Sequence, residues 1–442
     1  MDKSFKEQWE QFLEDHKYKK HYAHFDKRVS LDCVSVREYV CDVDKVAQHS
    51  FYPFIHFQSV NYKYNKRKNT KKKKVRDLFY CSHLDRCVYQ RYAFLLNYQY
   101  NLYAVNNKID DVAIAYRNNL GKNNIDFAHK AFNFIKEQSE CTVIVGDFES
   151  FFDKINHKYL KEMVCKLLDV KSLSNDYYAV YKNITSFSWW DLKDIGVLCG
   201  ENLCKKGVRK KLNSKERLID KKIFRENKHN ITKNNTGIGI PQGSPISAVL
   251  SNIYMIEFDK SISDYVADRN GLYMRYSDDF IIIIPKEENN GNETIEFIKS
   301  YIKNFKYVDL QDEKTAIYSY HKNKLYDIEG NNTKLSYLGF LFDGENIEVR
   351  KRAVTKYYKR VSRKIRYYIW LKKYGKKDKK YRPVNIYKIY SRNKHIKDMT
   401  FVDYLKHAKD ILQMKDAEAD VLIKHDKEKI AKFINKWKKY YR

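Results

Sequence analysis

The chain has 442 residues, with 86 Lys and Arg against 56 Asp and Glu, a formal charge of +30. That length exceeds one ordinary core and predicts two or three subdomains. The cation excess argues against a neutral scaffold and for an anionic partner, nucleic acid first.

Other composition features narrow the class. Aromatic residues make up 15% of the chain and 38 residues are Tyr, which offers both a stacking face and a hydroxyl. No apolar run reaches the roughly 20 residues of a membrane-spanning helix, so no membrane partner is expected. The eight Cys show no CxxC pair and read as reduced thiols of a soluble, cytoplasmic protein.

Residues 1 to about 50 read as helices, beginning with the charged amphipathic "FKEQWEQFLEDH". "NKRKNTKKKKVRD", 65–77, reads as a basic loop joining two strands. "NNIDFAHKAFNFIKEQ", 123–138, is a helix with Asp126 near its N-cap and Phe127, Ala131, Phe134 and Ile135 as its apolar stripe. "CTVIV", 141–145, is a β-branched strand ending at Gly146-Asp147. The segment 205–235 is dense in charge and Asn, and fits either a mobile basic insertion or a helical excursion. "PQGSPISAVLSNIYMIEFDKSI" starts as a turn and continues as one long apolar helix. "NETIEFIKSYIKNF" is an amphipathic helix, and "LSYLGFLFDGENIEVR" a hairpin turning at Asp343-Gly344. Everything past Arg350 reads as helical, basic and Tyr-rich: between Arg350 and Arg382 the sequence has 16 Lys or Arg and one acid, Asp378.

The chemistry concentrates in "YMRYSDDFIIIIP", 273–285. An alternating strand, a tight turn at Ser277-Asp278-Asp279 and a β-branched strand form a hairpin that projects two carboxylates from an apolar base. Two such carboxylates repel each other unless a cation intervenes, and hard oxygen ligands suit Mg²⁺. Asp147, at the end of its own strand, supplies a third if the two strands are neighbours. Two Mg²⁺ held by Asp147, Asp278 and Asp279 would clamp an in-line phosphoryl transfer. A bare Asp-Asp pair at a solvated turn is common, so the neighbouring blocks decide its meaning.

Those blocks resemble reverse transcriptases. "YSDD", 276–279, is similar to the YxDD box, "GIPQGSPISAVLSNIYM", 239–255, to the PQG block, and "DFESFFDKINH", 147–157, to the first-aspartate block. "LQDEKTAI", 310–317, and "LSYLGF", 335–340, resemble the later lysine and primer-grip blocks. "RDLFYCSHLDR", 76–86, resembles a fingers segment, with Asp77 where the family has proline. "AYRNNLGKNNIDFA", 115–128, is similar to a fingers block of retron and abortive-infection enzymes. The order is kept from about residue 50 to 350.

The resemblance implies an α+β fold of the right-hand polymerase type: fingers, an antiparallel-sheet palm and a helical thumb. The expected divisions are a helical N-terminal extension at 1–50, fingers at 51–140, a palm at 141–350 with the basic insertion at about 196–235, and a basic helical thumb at 351–442. It implies catalytic and metal-binding roles for Asp147, Asp278 and Asp279, and nucleotide contacts for Arg76, Phe148, Phe152, Gln242 and Lys314. Phe152 would collide with a 2′-hydroxyl and so favour dNTPs. Tyr276, Gly243, Leu338 and Gly339 are expected at primer and template, and Lys356, Arg360, Arg363 and Lys364 on the nucleic-acid backbone. The implied partners are an RNA template, dNTPs and a DNA product. Within the family the pattern looks most like bacterial defence-associated enzymes that copy a small co-encoded RNA. A protein-primed or weakly templated polymerase, and a maturase-like RNA-binding protein with a vestigial site, are the alternatives.

Overall fold

Four consecutive isoleucines are all buried only in a strand covered on both faces, and Ile281 to Ile284 lie in such a strand. Ile282 and Ile284 join one hydrophobic cluster, Ile281 and Ile283 another on the opposite face. The computed structural model describes residues 4–16, 20–65, 70–202, 207–285, 291–305, 307–374, 401–415 and 417–441.

Strands β1 (Phe54–Asn65) and β2 (Thr70–Tyr80) form a long antiparallel hairpin, registered from Ile55↔Tyr80 to Asn65↔Thr70. Most of the basic segment expected as a loop is therefore strand, and only 66–69 fall outside the described residues. β3 (Glu140–Asp147) is the next strand. β4 (Ser188–Asp191) pairs parallel with β1, and β5 (Thr232–Lys233) pairs with β4. The segment expected as a palm insertion thus extends the β2-β1-β4-β5 sheet. It carries the short helices Val208–Leu212 and Lys221–Glu226, which makes it the helical excursion. Val208, Leu212, Leu218 and Ile219 bury themselves there against Phe25, Ile55 and Trp190.

β6 (Leu272–Tyr276), β7 (Asp279–Pro285), β8 (Ala316–His321) and β9 (Lys324–Tyr326) complete a five-stranded sheet with β3 at its centre, in the order β6-β7-β3-β8-β9. All its pairings are antiparallel. One face is covered by helices His83–Asn106, His157–Leu168, Ser247–Tyr254 and Ile256–Ala267. The last two replace the single long helix expected; the break falls at Met255. The other face carries helix Asn124–Glu137, whose capping box joins Asn123 to Asp126. Its buried stripe is Ile125, Phe127, Ala128, Ala131, Phe132 and Ile135, so Phe132 takes the core position expected of Phe134.

β10 (Leu335–Tyr337), β11 (Phe340–Phe342) and β12 (Ile347–Val349) form a three-stranded meander rather than a single hairpin. The extra turn is Leu338-Gly339, both at positive φ, 42° and 100°, as a two-residue hairpin turn demands. Beyond it, helices Lys351–Tyr374, Phe401–Leu412 and Ala417–Tyr440 pack on the same core. At 1–50 the helices are Phe5–His16, Val34–Cys41 and Val43–Ala47, while 20–33 is irregular chain. The architecture is the mixed, right-hand type expected, and no helix among the described residues is long and apolar enough to cross a membrane.

Candidate active site

Antiparallel pairing of β3 with β7 sets Asp147 and Asp279 opposite each other as register partners at the sheet end. Side-chain hydrogen bonding joins their carboxyls. Asp278 lies beside them, its carbonyl accepting from Phe148 N at 3.0 Å. The fold has thus united the two strand ends that sequence spacing keeps far apart. Gly146 precedes Asp147 because a Cβ there would meet the Phe280 ring at 2.3 Å.

Electrostatics follow from that crowding. The Asp279 carboxyl is pushed up to about 7, by burial first, then by Asp278 and Asp147, with Lys314 opposing. Asp279 keeps a solvent-exposed edge, so repulsion from two fixed neighbours is the durable part of that shift. Lys314 Nζ donates to Asp147 Oδ1 at 2.5 Å. From the β1-β2 hairpin comes Lys74, whose ammonium is disfavoured by partial burial and by Arg76 and Lys314, while Asp147 and Asp278 favour it. Three cations and three carboxylates therefore share one locality.

Among the described residues, no three His, Cys, Asp or Glu side chains already converge around one metal position. The donor set nevertheless suits a hard divalent cation: three carboxylates at adjacent strand ends, one of them held protonated towards neutral pH by burial and by the other two. Asp147, Asp278 and Asp279 are the side chains that would hold it. Lys314 would have to release Asp147 Oδ1 for that carboxylate to bind a metal through both oxygens.

Residues 201–342 match the family model described as reverse transcriptase (RNA-dependent DNA polymerase). The chain carries a reverse transcriptase domain. The family uses divalent metal ions, which agrees with the donor set. The match contains Gln242, Gly243, Tyr276, Asp278, Asp279, Lys314, Leu338 and Gly339. Arg76, Asp147, Phe148 and Phe152 lie outside it, and sheet pairing alone brings Asp147 to the site. Among solved structures, a C-terminally truncated apo telomerase from Candida tropicalis is similar at 12% identity, covering 73% of this chain and 61% of its own, with a TM-score of 0.43. Telomerase from Candida albicans, in complex with a TWJ fragment of telomeric RNA, shows 10% identity, 97% and 69% coverage and a TM-score of 0.39. This chain thus spans less than two thirds of the first of these. No curated protein matches it.

Around the three aspartates, the expected nucleotide and primer residues divide. Phe148 is corrected: its side chain is 1% exposed, packed among Phe151, Phe258 and Phe280, and cannot lie against a nucleotide. Phe152 remains partly exposed while Phe151 is buried. The left-handed Ser150, φ 49°, turns the chain between them and Phe148. Gln242 Nε2 reaches Asp153 Oδ1 at 3.4 Å, and Gln242 O accepts from Phe79 N of β2. Gly243, at φ +119°, leaves room for that strand: a Cβ would meet Phe79 O at 2.3 Å. Its glycine thus lets the Gln242-Gly243 turn close against β2.

Tyr276 is half-buried at the end of β6, opposite Asp279. Leu338 O accepts from Asn124 Nδ2, which also donates to Tyr404 Oη, tying this turn to helix Phe401–Leu412. Arg76, Lys356, Arg360, Arg363 and Lys364 are all exposed. The last four share helix Lys351–Tyr374, whose opposite face buries Tyr357, Tyr358, Val361 and Ile365. Residues 375–400 of the expected basic surface lie outside the described residues. Two cations were not singled out from sequence. Lys74 was legible in principle, since it stands two residues from Arg76 and so on the same strand face. Arg350, whose charge Asp279 favours against burial, carried no sequence signal.

Proposed function

We propose that the chain synthesises DNA on an RNA template, with Asp147, Asp278 and Asp279 holding two Mg²⁺. The facing pair Asp147 and Asp279 carries this reading. When bound, the ions supply charge stabilisation to the attacking and leaving oxygens. The primer 3′-oxygen attacks the α-phosphorus of a dNTP, the α–β bridging P–O bond breaks, and pyrophosphate leaves. Lys74 and Arg76 bind the triphosphate, and Lys314 gives its proton to the departing pyrophosphate. Phe152 excludes a 2′-hydroxyl, Tyr276 and the Leu338-Gly339 turn support the primer end, and Gln242 orients the nucleotide from beside Asp153. Lys356, Arg360, Arg363 and Lys364 track the duplex backbone.

The test is primer extension on RNA with the double variant Asp278→Asn, Asp279→Asn. Loss of dNTP incorporation with RNA affinity kept is expected; incorporation near the wild-type rate refutes the assignment. We further propose that the template is a small structured RNA encoded beside the protein and copied in bacterial antiphage defence. The charge of +30 and the fingers block support a stably bound RNA. Sequencing the nucleic acid that co-purifies should give one enriched transcript, and random cellular fragments would count against it.

A further inference from the structure

The turn that bears Asp278 and Asp279 is held from inside the protein. Ser277 sits at φ +62°, a conformation that residues other than Gly adopt rarely. Its carbonyl accepts from Arg275 Nη1 at 2.9 Å. Arg275 is fully buried, and its fork grips Asp259 of helix Ile256–Ala267 through Nε at 2.8 Å and Nη2 at 2.5 Å. Asp259 is fully buried too and also accepts from Tyr273 Oη. Arg275 Nη1 reaches Asn252 Oδ1 at 3.4 Å, and Asn252 Nδ2 donates to Ala115 O. The main chain of Arg275 bonds Val112 O and Ile114 N, so the same residue is fixed at both its ends.

A buried ion pair is a poor source of stability compared with apolar packing, but it specifies geometry. Here the guanidinium has two duties that only a planar fork can combine: two parallel bonds to Asp259 and a third, divergent one to the Ser277 carbonyl. We propose that Arg275, anchored by Asp259, is a positioning residue: it locks Ser277 in its left-handed turn so that Asp278 and Asp279 are held at the strand end that faces Asp147, where divalent ions would bind. This rests on the reading that the three aspartates hold divalent ions.

The experiment is a Mn²⁺ titration followed by electron paramagnetic resonance, run on wild type, Arg275→Lys and Arg275→Lys with Ser277→Gly. Lysine keeps the charge and loses the fork, so its Mn²⁺ dissociation constant should rise about tenfold, with RNA affinity and near-UV dichroism unchanged. Glycine adopts the turn without restraint and should recover part of that loss. Wild-type affinity in Arg275→Lys overturns the positioning role alone, and so does a loss that Ser277→Gly leaves untouched. A wild type that binds no Mn²⁺ overturns the metal assignment beneath it. If Arg275→Lys does not fold, Asn252→Ala is read in the same titration: a weakening of about threefold supports the role, and unchanged affinity overturns it.

Discussion

Lys314 Nζ meets Asp147 Oδ1 at 2.5 Å across 167 residues of sequence. An ammonium thus stands against the carboxylate that faces Asp279, within reach of the phosphate chemistry proposed there. If Lys314 protonates the leaving group, Lys314→Ala should slow single-turnover dNTP incorporation by about 10²-fold. Template affinity should hold. An unchanged rate would reduce Lys314 to a counter-charge for Asp147.

Asp279 gives a pH signature. Its carboxyl titrates at about 7 in the fold, against an ordinary value of 3.8. Between those values the folded chain keeps a proton that the unfolded chain has released. The associated stability is therefore present below about pH 4 and lost as pH rises to about 7. In EDTA, urea midpoints should fall across that window more steeply for wild type than for Asp279→Asn. Added Mg²⁺, which favours the ionised carboxyl, should flatten the wild-type profile. Parallel profiles for the two proteins in EDTA would contradict the shift.

Phe148 and Phe152 should respond differently to truncation. Phe152→Val opens the partly exposed position and should raise rNTP incorporation relative to dNTP by roughly 10–200-fold. Phe148→Ala removes a ring from the core and should cost about 3–5 kcal/mol of stability without changing sugar selection. Competition assays with paired nucleotides, together with thermal melts, separate the two. Equal sugar selection in Phe152→Val and wild type would remove Phe152 from the nucleotide site.

What the sequence made legible was whatever depends on local pattern. The β-branched run ending at Gly146-Asp147 and the alternation around Tyr276-Ser277-Asp278-Asp279 predicted strands whose tips carry acid, and the sheet pairs those tips. Which phenylalanine of "DFESFF" stays partly exposed was not legible, because the positive φ of Ser150 resets the phase of the chain. The parallel pairing of β4 with β1 was hidden for another reason. Trp189 and Phe54 are partners only through a long-range contact, and the four-residue "SWWD" gives no sign of it. Nothing in the local sequence marks Arg275 as buried. Only the buried Asp259 on a separate helix reveals it as a core group.

Asp147 is the decisive residue, since it lies outside the matched residues 201–342 and joins Asp278 and Asp279 through the fold alone. The direct measurement is dNTP incorporation on a primed RNA template by Asp147→Asn beside wild type. A loss on the order of 10²–10³-fold or more, with RNA still bound at wild-type affinity, is the expected result. Incorporation by Asp147→Asn at the wild-type rate would contradict a shared three-carboxylate metal site.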